Sequence, residues 1–130
     1  MLAFVLFTLF VTQAEKPVTL PDTPQGKHVA AYVEAFNSGD EKKYLAVMEE
    51  HVDPGLLKRR SVEERAKMFQ RMRGDFGTLK VAKVIKASAE QVQLAIPDKQ
   101  GTLATFTFDF ERTAPFRISA IGVEIDQGGY

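Results

Sequence analysis

Between Thr102 and Glu111 the chain sets Phe106, Phe108 and Phe110 at every second position, with Thr105, Thr107, Asp109 and Glu111 in the gaps. A period of two is the spacing of side chains that share one face of a β-strand. A strand of this kind belongs to an antiparallel sheet with one face toward water and one apolar face. That apolar face has to be covered by other parts of the chain.

The cover lies upstream. Thr23 is placed to cap a helix whose first residue is Pro24, and Val29, Tyr32, Val33 and Phe36 then recur at i, i+3, i+4 and i+7. Asn37-Ser38-Gly39 ends that helix, with Gly39 free to turn left-handed. Asp40 caps a second helix carrying Tyr44, Leu45, Val47 and Met48. Asp53-Pro54 opens a short helical turn with Leu56 and Leu57. Ser61 to Glu64 has the S-x-x-E form of a capping box. The third helix follows, with Val62, Ala66 and Phe69 inward, Met68 and Met72 widening the stripe, and Gly74 as its stop.

Strands are expected over residues 78–87, 91–96, 102–111 and 116–125, with connections at Pro97 to Gly101 and Arg112 to Pro115. The alternation slips near Ala120-Ile121, which predicts a β-bulge. Helices followed by strands define an α+β fold. Three N-terminal helices pack on a curved antiparallel sheet of about four strands, a cone with one open end.

The ends read differently. Met1 to Val11 is MLAFVLFTLFV, about half the length of a membrane span and the length of a signal-peptide core, although no Lys or Arg precedes it. Thr12 and Ala14 are small enough to flank a cleavage site. Residues 1–14 are therefore expected to be a signal peptide cleaved after Ala14, leaving a secreted or periplasmic protein with no stable membrane span. Residues 15–25, with Pro17 and Pro21, form a linker, 26–125 the domain, and 126–130 a tail.

The chain of 130 residues has no cysteine, which excludes disulfides, thiolate metal sites and a cysteine nucleophile. Two histidines exclude a histidine-rich metal site, so no metal ligands are assigned. Seventeen basic and 17 acidic residues give a net charge of +0, without the basic excess of a nucleic-acid-binding chain. G-x-S-x-G, S-x-x-K, H-E-x-x-H, P-loop and dinucleotide patterns are all missing, so neither catalytic residues nor a cofactor are assigned.

Side chains with chemistry remain. Tyr32 and Tyr44 stand on apolar helical stripes, where a hydroxyl either orients a ligand carbonyl or sits at the rim of ordinary packing. Phe36 and Phe69 are core residues, or in a second reading the lining of an apolar ligand cavity. His51, after Glu49 and Glu50 at the end of the second helix, is either a pocket acid/base or donor, or a histidine that favours the helix dipole. His28, in the first turn of the first helix, is expected to be exposed. Asp109 and Glu111 lie opposite the phenylalanine face, away from the helices, which leaves the interior without an evident proton relay. Lys58-Arg59-Arg60 and Lys80, Lys83 and Lys86 are solvated faces or a local docking patch.

The order of elements, with YVEAFNSGD at residues 32–40 between the first two helices, resembles the nuclear-transport-factor-2-like, cystatin-like cone superfamily. Glu50-His51-Val52-Asp53-Pro54, the Arg/Glu-rich stretch Arg59 to Arg65, Gly77 before the first strand, and Ile118 to Glu124 resemble an exported bacterial subgroup. In that subgroup the domain often precedes a β-lactamase-type serine hydrolase or a peptidase domain. The resemblance spans about residues 26–125, and the chain stops where such a domain would begin, as a stand-alone version or a piece. It implies a pocket whose mouth lies near His51, with Tyr32, Phe36, Tyr44, His51 and Phe69 as its ligand-binding residues. The expected function is a non-catalytic cone that binds a small apolar ligand or assists a hydrolase partner. The alternatives are a small isomerase or dehydratase using Tyr32 and His51, and an interaction module. The outer sheet face would serve as the interaction surface or form a homodimer.

Overall fold

Every helix cap expected from the sequence makes its bond. Thr23 Oγ1 accepts from the Gly26 amide at 3.1 Å, Asp40 from Lys42 and Lys43, Asp53 from Gly55, and Ser61 from Glu64. These bonds satisfy amides that no helical turn can reach. The computed structural model describes residues 18–125, so the expected signal peptide, the first part of the linker and the tail lie outside the described residues.

The caps start α1 at Pro24–Asn37, α2 at Glu41–His51, α3 at Pro54–Leu57 and α4 at Val62–Phe76. The strands are β1 Lys83–Ala87, β2 Gln91–Pro97, β3 Leu103–Phe110 and β4 Ile118–Ile125. They pair antiparallel in the order β1-β2-β3-β4. The architecture is α+β, with helices against one face of an open, cone-like sheet. No helix among the described residues is long and apolar enough to cross a membrane.

The sheet register sorts residues into rows. Val84, Leu94, Phe106 and Val123 stand side by side across the four strands, and so do Ala87, Val92, Phe108 and Ile121. These rows form the inner face. The outer rows are Lys83, Ala95, Thr105 and Glu124, then Lys86, Gln93, Thr107 and Gly122. Phe106 and Phe108 are fully buried against Val29, Tyr32 and Phe36 of α1 and Phe69 and Phe76 of α4, all members of one core. The parity argument holds for Asp109, which lies on the outer face and accepts a 2.8 Å hydrogen bond from Gln91 Nε2.

Several details differ from expectation. Gly74 does not stop α4, which continues to Phe76 because that ring is buried 5.2 Å from the ring of Phe106. Gly77, at φ 70°, takes the left-handed turn instead. Val62 is half exposed rather than inward, because the whole first turn of α4, residues 61–64, lies in solvent. β1 starts at Lys83 rather than at Thr78, because Leu79 is bonded to Asn37 of α1 and not to β2. The bulge in β4 falls at Ser119, which has no partner between the Asp109–Ala120 and Phe110–Ile118 pairs, one residue before the expected slip.

Candidate functional site

α2, α3 and α4 leave part of the inner sheet face uncovered. A cavity of about 940 Å³ lies between these helices, β4 and the turn joining β2 to β3. Its size is that of a small-molecule site. Met48, Leu56, Leu57, Met68, Met72 and Phe76 come from the helices, and Ile121, Val123 and Ile125 from β4. Val123 and Ile125 share inner rows with Phe106 and Ala104, yet they are 40% and 46% exposed. No helix among the described residues covers them.

Two tyrosines form the polar part of the wall. Tyr32 from α1 and Tyr44 from α2 approach hydroxyl to hydroxyl at 3.3 Å, and both line the cavity. Their rings are held by Phe108, Phe36 and Phe69, with Tyr44 stacked on Phe69 at 4.6 Å. Burial pushes the Tyr32 phenol well above its ordinary value, helped by its neighbour Tyr44. Burial also raises the Tyr44 phenol, although the bond to Tyr32 and the charge of Arg65 pull it the other way. Both are neutral O–H groups at physiological pH, suited to hydrogen bonding and not to proton abstraction.

Arg65 is the residue that sequence reasoning missed. Its Nε and Nη1 are buried and have no hydrogen-bond partner among the described residues. The signal was present: Arg65, Phe69, Met72 and Phe76 recur at i, i+4, i+7 and i+11, so an arginine interrupts the apolar stripe of α4. Arg59, Arg60, Arg71 and Lys99 also border the cavity, against Asp75 and Asp98. The chain is neutral overall, but this cavity is cationic.

The other expected residues lie elsewhere. Phe36 and Phe69 are buried core residues that support the tyrosine rings and do not reach the cavity wall. His51 ends α2 and also stands off the wall. Its Nδ1 meets Nδ1 of His28 at 2.8 Å, and His28 Nε2 donates to the Pro115 carbonyl at 2.8 Å. His28 is thus partly buried and bonded through both ring nitrogens, where the sequence pointed to an exposed side chain. Burial lowers the His51 imidazole; Glu50 partly offsets this, and His28 adds to the lowering. Glu111 is bound by Arg117 through two side-chain contacts of 2.9 and 3.2 Å, which hold its carboxyl low. Among the described residues no group of three or more His, Asp or Glu could hold a metal ion.

No family model matches the chain, and no curated protein matches it. A solved structure does: the crystal structure of a SnoaL-like protein of unknown function from Burkholderia thailandensis E264. It aligns with a TM-score of 0.55 and 14% identity, over 83% of this chain and 99% of that one. A de novo designed β-sheet protein, solved in solution by NMR, aligns with a TM-score of 0.44 and 17% identity over 79% of this chain and 86% of that one. The first likeness is one of fold. It agrees with the open, cone-like α+β architecture described above.

Proposed function

We propose that this chain is a ligand-binding cone domain whose small apolar ligand occupies the cavity bounded by α2, α3, α4 and β4. The observation that carries the reading is the uncovered inner face at Val123 and Ile125. An apolar surface of this kind, rimmed by polar groups, gains free energy when a ligand removes it from water. The Tyr32 and Tyr44 hydroxyls would orient that ligand. The isomerase or dehydratase alternative is less well supported. His51 is bonded to His28 off the wall, and Asp109 is bonded to Gln91 on the outer face, so neither of these groups serves the cavity as the acid or base such chemistry uses. The outer sheet rows are mostly polar, which also favours the cavity over that face as the site.

The same proposal places the domain outside the cytoplasm after cleavage at Ala14, either acting alone or assisting a hydrolase. Mass spectrometry of exported protein should find an N-terminus at Glu15. The binding reading is tested with a neutral fluorescent probe, N-phenyl-1-naphthylamine. Its emission should rise on addition of the protein. The rise should be lost in Val123→Trp, which fills the cavity from a position with room for a larger side chain. Equal enhancement by the variant, with an unchanged circular dichroism spectrum, would place the probe elsewhere.

A further inference from the structure

A buried guanidinium beside the apolar wall of the cavity is the least expected group in this molecule. Burying a charged donor without a partner is costly, because the hydrogen bonds it makes to water are lost and not replaced. The Arg65 nitrogens Nε and Nη1 stand in that condition. Arg65 is also close enough to Tyr44 for its charge to act on the phenol. None of Arg59, Arg60, Arg65 and Arg71 belongs to an ion pair among the described residues. Among the described residues no carboxylate pairs with this charge, which stands beside the apolar wall formed by Met72, Ile121 and Val123.

We infer that the ligand is an apolar carboxylic acid, its carboxylate held by Arg65 and a tyrosine hydroxyl and its hydrocarbon body lying on Met72, Ile121 and Val123. The inference rests on the cavity reading above and deepens it. The hydrogen-bond count favours a single carboxylate. Tyr32 and Tyr44 have two O–H protons and one mutual bond, so one O–H is left for a ligand oxygen. With the Arg65 guanidinium, the inner wall offers charge-assisted donors for one small anion. Arg59, Arg60 and Arg71 have exposed side chains, so they attract an anion to the mouth rather than fix it inside. A doubly charged phosphate would demand more donors than this inner wall supplies.

The experiment displaces N-phenyl-1-naphthylamine from the full chain with four probes of one chain length: decanoate, decan-1-ol, decylamine and decyl phosphate, at pH 7.5. Decanoate should displace the reporter at a concentration at least tenfold lower than the alcohol. In Arg65→Met, whose side chain keeps the apolar length, the acid and the alcohol should become equivalent. Arg65→Lys should restore part of the difference, which guards against a variant that binds poorly through misfolding. If acid and alcohol displace equally from the native chain, the carboxylate inference fails while the cavity reading stands. If the reporter itself does not bind, the cavity reading fails first. Tighter displacement by decyl phosphate or decylamine, or an acid preference that survives in Arg65→Met, would also overturn the inference.

Discussion

His28 and His51 meet Nδ1 to Nδ1 at 2.8 Å, and the surrounding bonds decide which nitrogen carries the proton. The Pro115 carbonyl can only accept, so His28 Nε2 carries a hydrogen. A neutral His28 then offers a lone pair at Nδ1, and His51 Nδ1 must donate to it. His51 Nε2 is left unprotonated, 3.8 Å from Glu50. Protonation of His51 therefore adds its hydrogen at Nε2 and leaves the bond to His28 in place.

This arrangement predicts acid sensitivity. Burial lowers the His51 imidazole in the folded chain, whereas the unfolded chain titrates near the ordinary value of about 6.5. Below that pH the unfolded state binds more protons, so stability falls as pH drops from about 6.5 toward the lowered folded value. Glu50 opposes the effect, and Glu111, held low by Arg117, titrates below this window. The urea midpoint should decrease between pH 7.5 and 5.5. His51→Asn, whose amide can still donate to His28, should flatten that slope; an equal slope in the variant would remove His51 as its source.

Asn37 stands in for a missing β-partner. Its Nδ2 donates to the Leu79 carbonyl at 3.0 Å, and its Oδ1 accepts from the Leu79 amide at 2.6 Å. Leu79 is buried, so both backbone groups would otherwise lose water without replacement. Asn37→Asp keeps the acceptor but turns an oxygen toward the carbonyl. Denaturant titration should register a loss of about 1–3 kcal/mol.

Two glycines in helices should respond with opposite sign to the same substitution. A Cβ on Gly26 would fall 1.8 Å from the Pro21 carbonyl oxygen, whereas one on Gly74 would meet nothing within 4 Å. Gly74→Ala should raise stability by about 0.5–1 kcal/mol through helix propensity. Gly26→Ala should lower the thermal midpoint, despite the same gain in propensity. Matching shifts in the two variants would mean that Pro21 does not cross the first turn of α1.

The strand faces give a further contrast. Phe108 is fully buried, so Phe108→Ala should cost about 3–5 kcal/mol. Thr107, its outward neighbour, makes a 3.3 Å contact with Gln93, and Thr107→Ala should cost far less. Equal shifts in chemical denaturation would contradict the face assignment.

The fold was largely legible because its signals are local. The alternation of Phe106, Phe108 and Phe110 marks a strand and its inner face within a few residues. Thr23, Asp40, Asp53 and Ser61 announce helices by bonds to amides two or three positions away. The resemblance carried by residues 32–40 also has a local basis, since Gly39 takes φ 72° and Asp40 caps α2. The candidate site was legible only in part. Tyr32 and Tyr44 reach the cavity wall, while Phe36, Phe69 and His51 lie off it.

The chain's own order of residues determined the helices, the strands and which strand face is apolar, because capping and periodicity depend on the backbone a few residues to either side. Tertiary structure decided where that apolar face goes uncovered. Val123 and Phe106 look alike in sequence, and only the placement of α1 and α4 buries one and leaves the other facing a cavity. The same placement buries Arg65 Nε and Nη1 without a partner among the described residues, brings Asn37 to Leu79 and sets His28 against His51. Those pairings join residues 42 and 23 positions apart. Contacts over such distances are set by how the whole core packs, which no local pattern records.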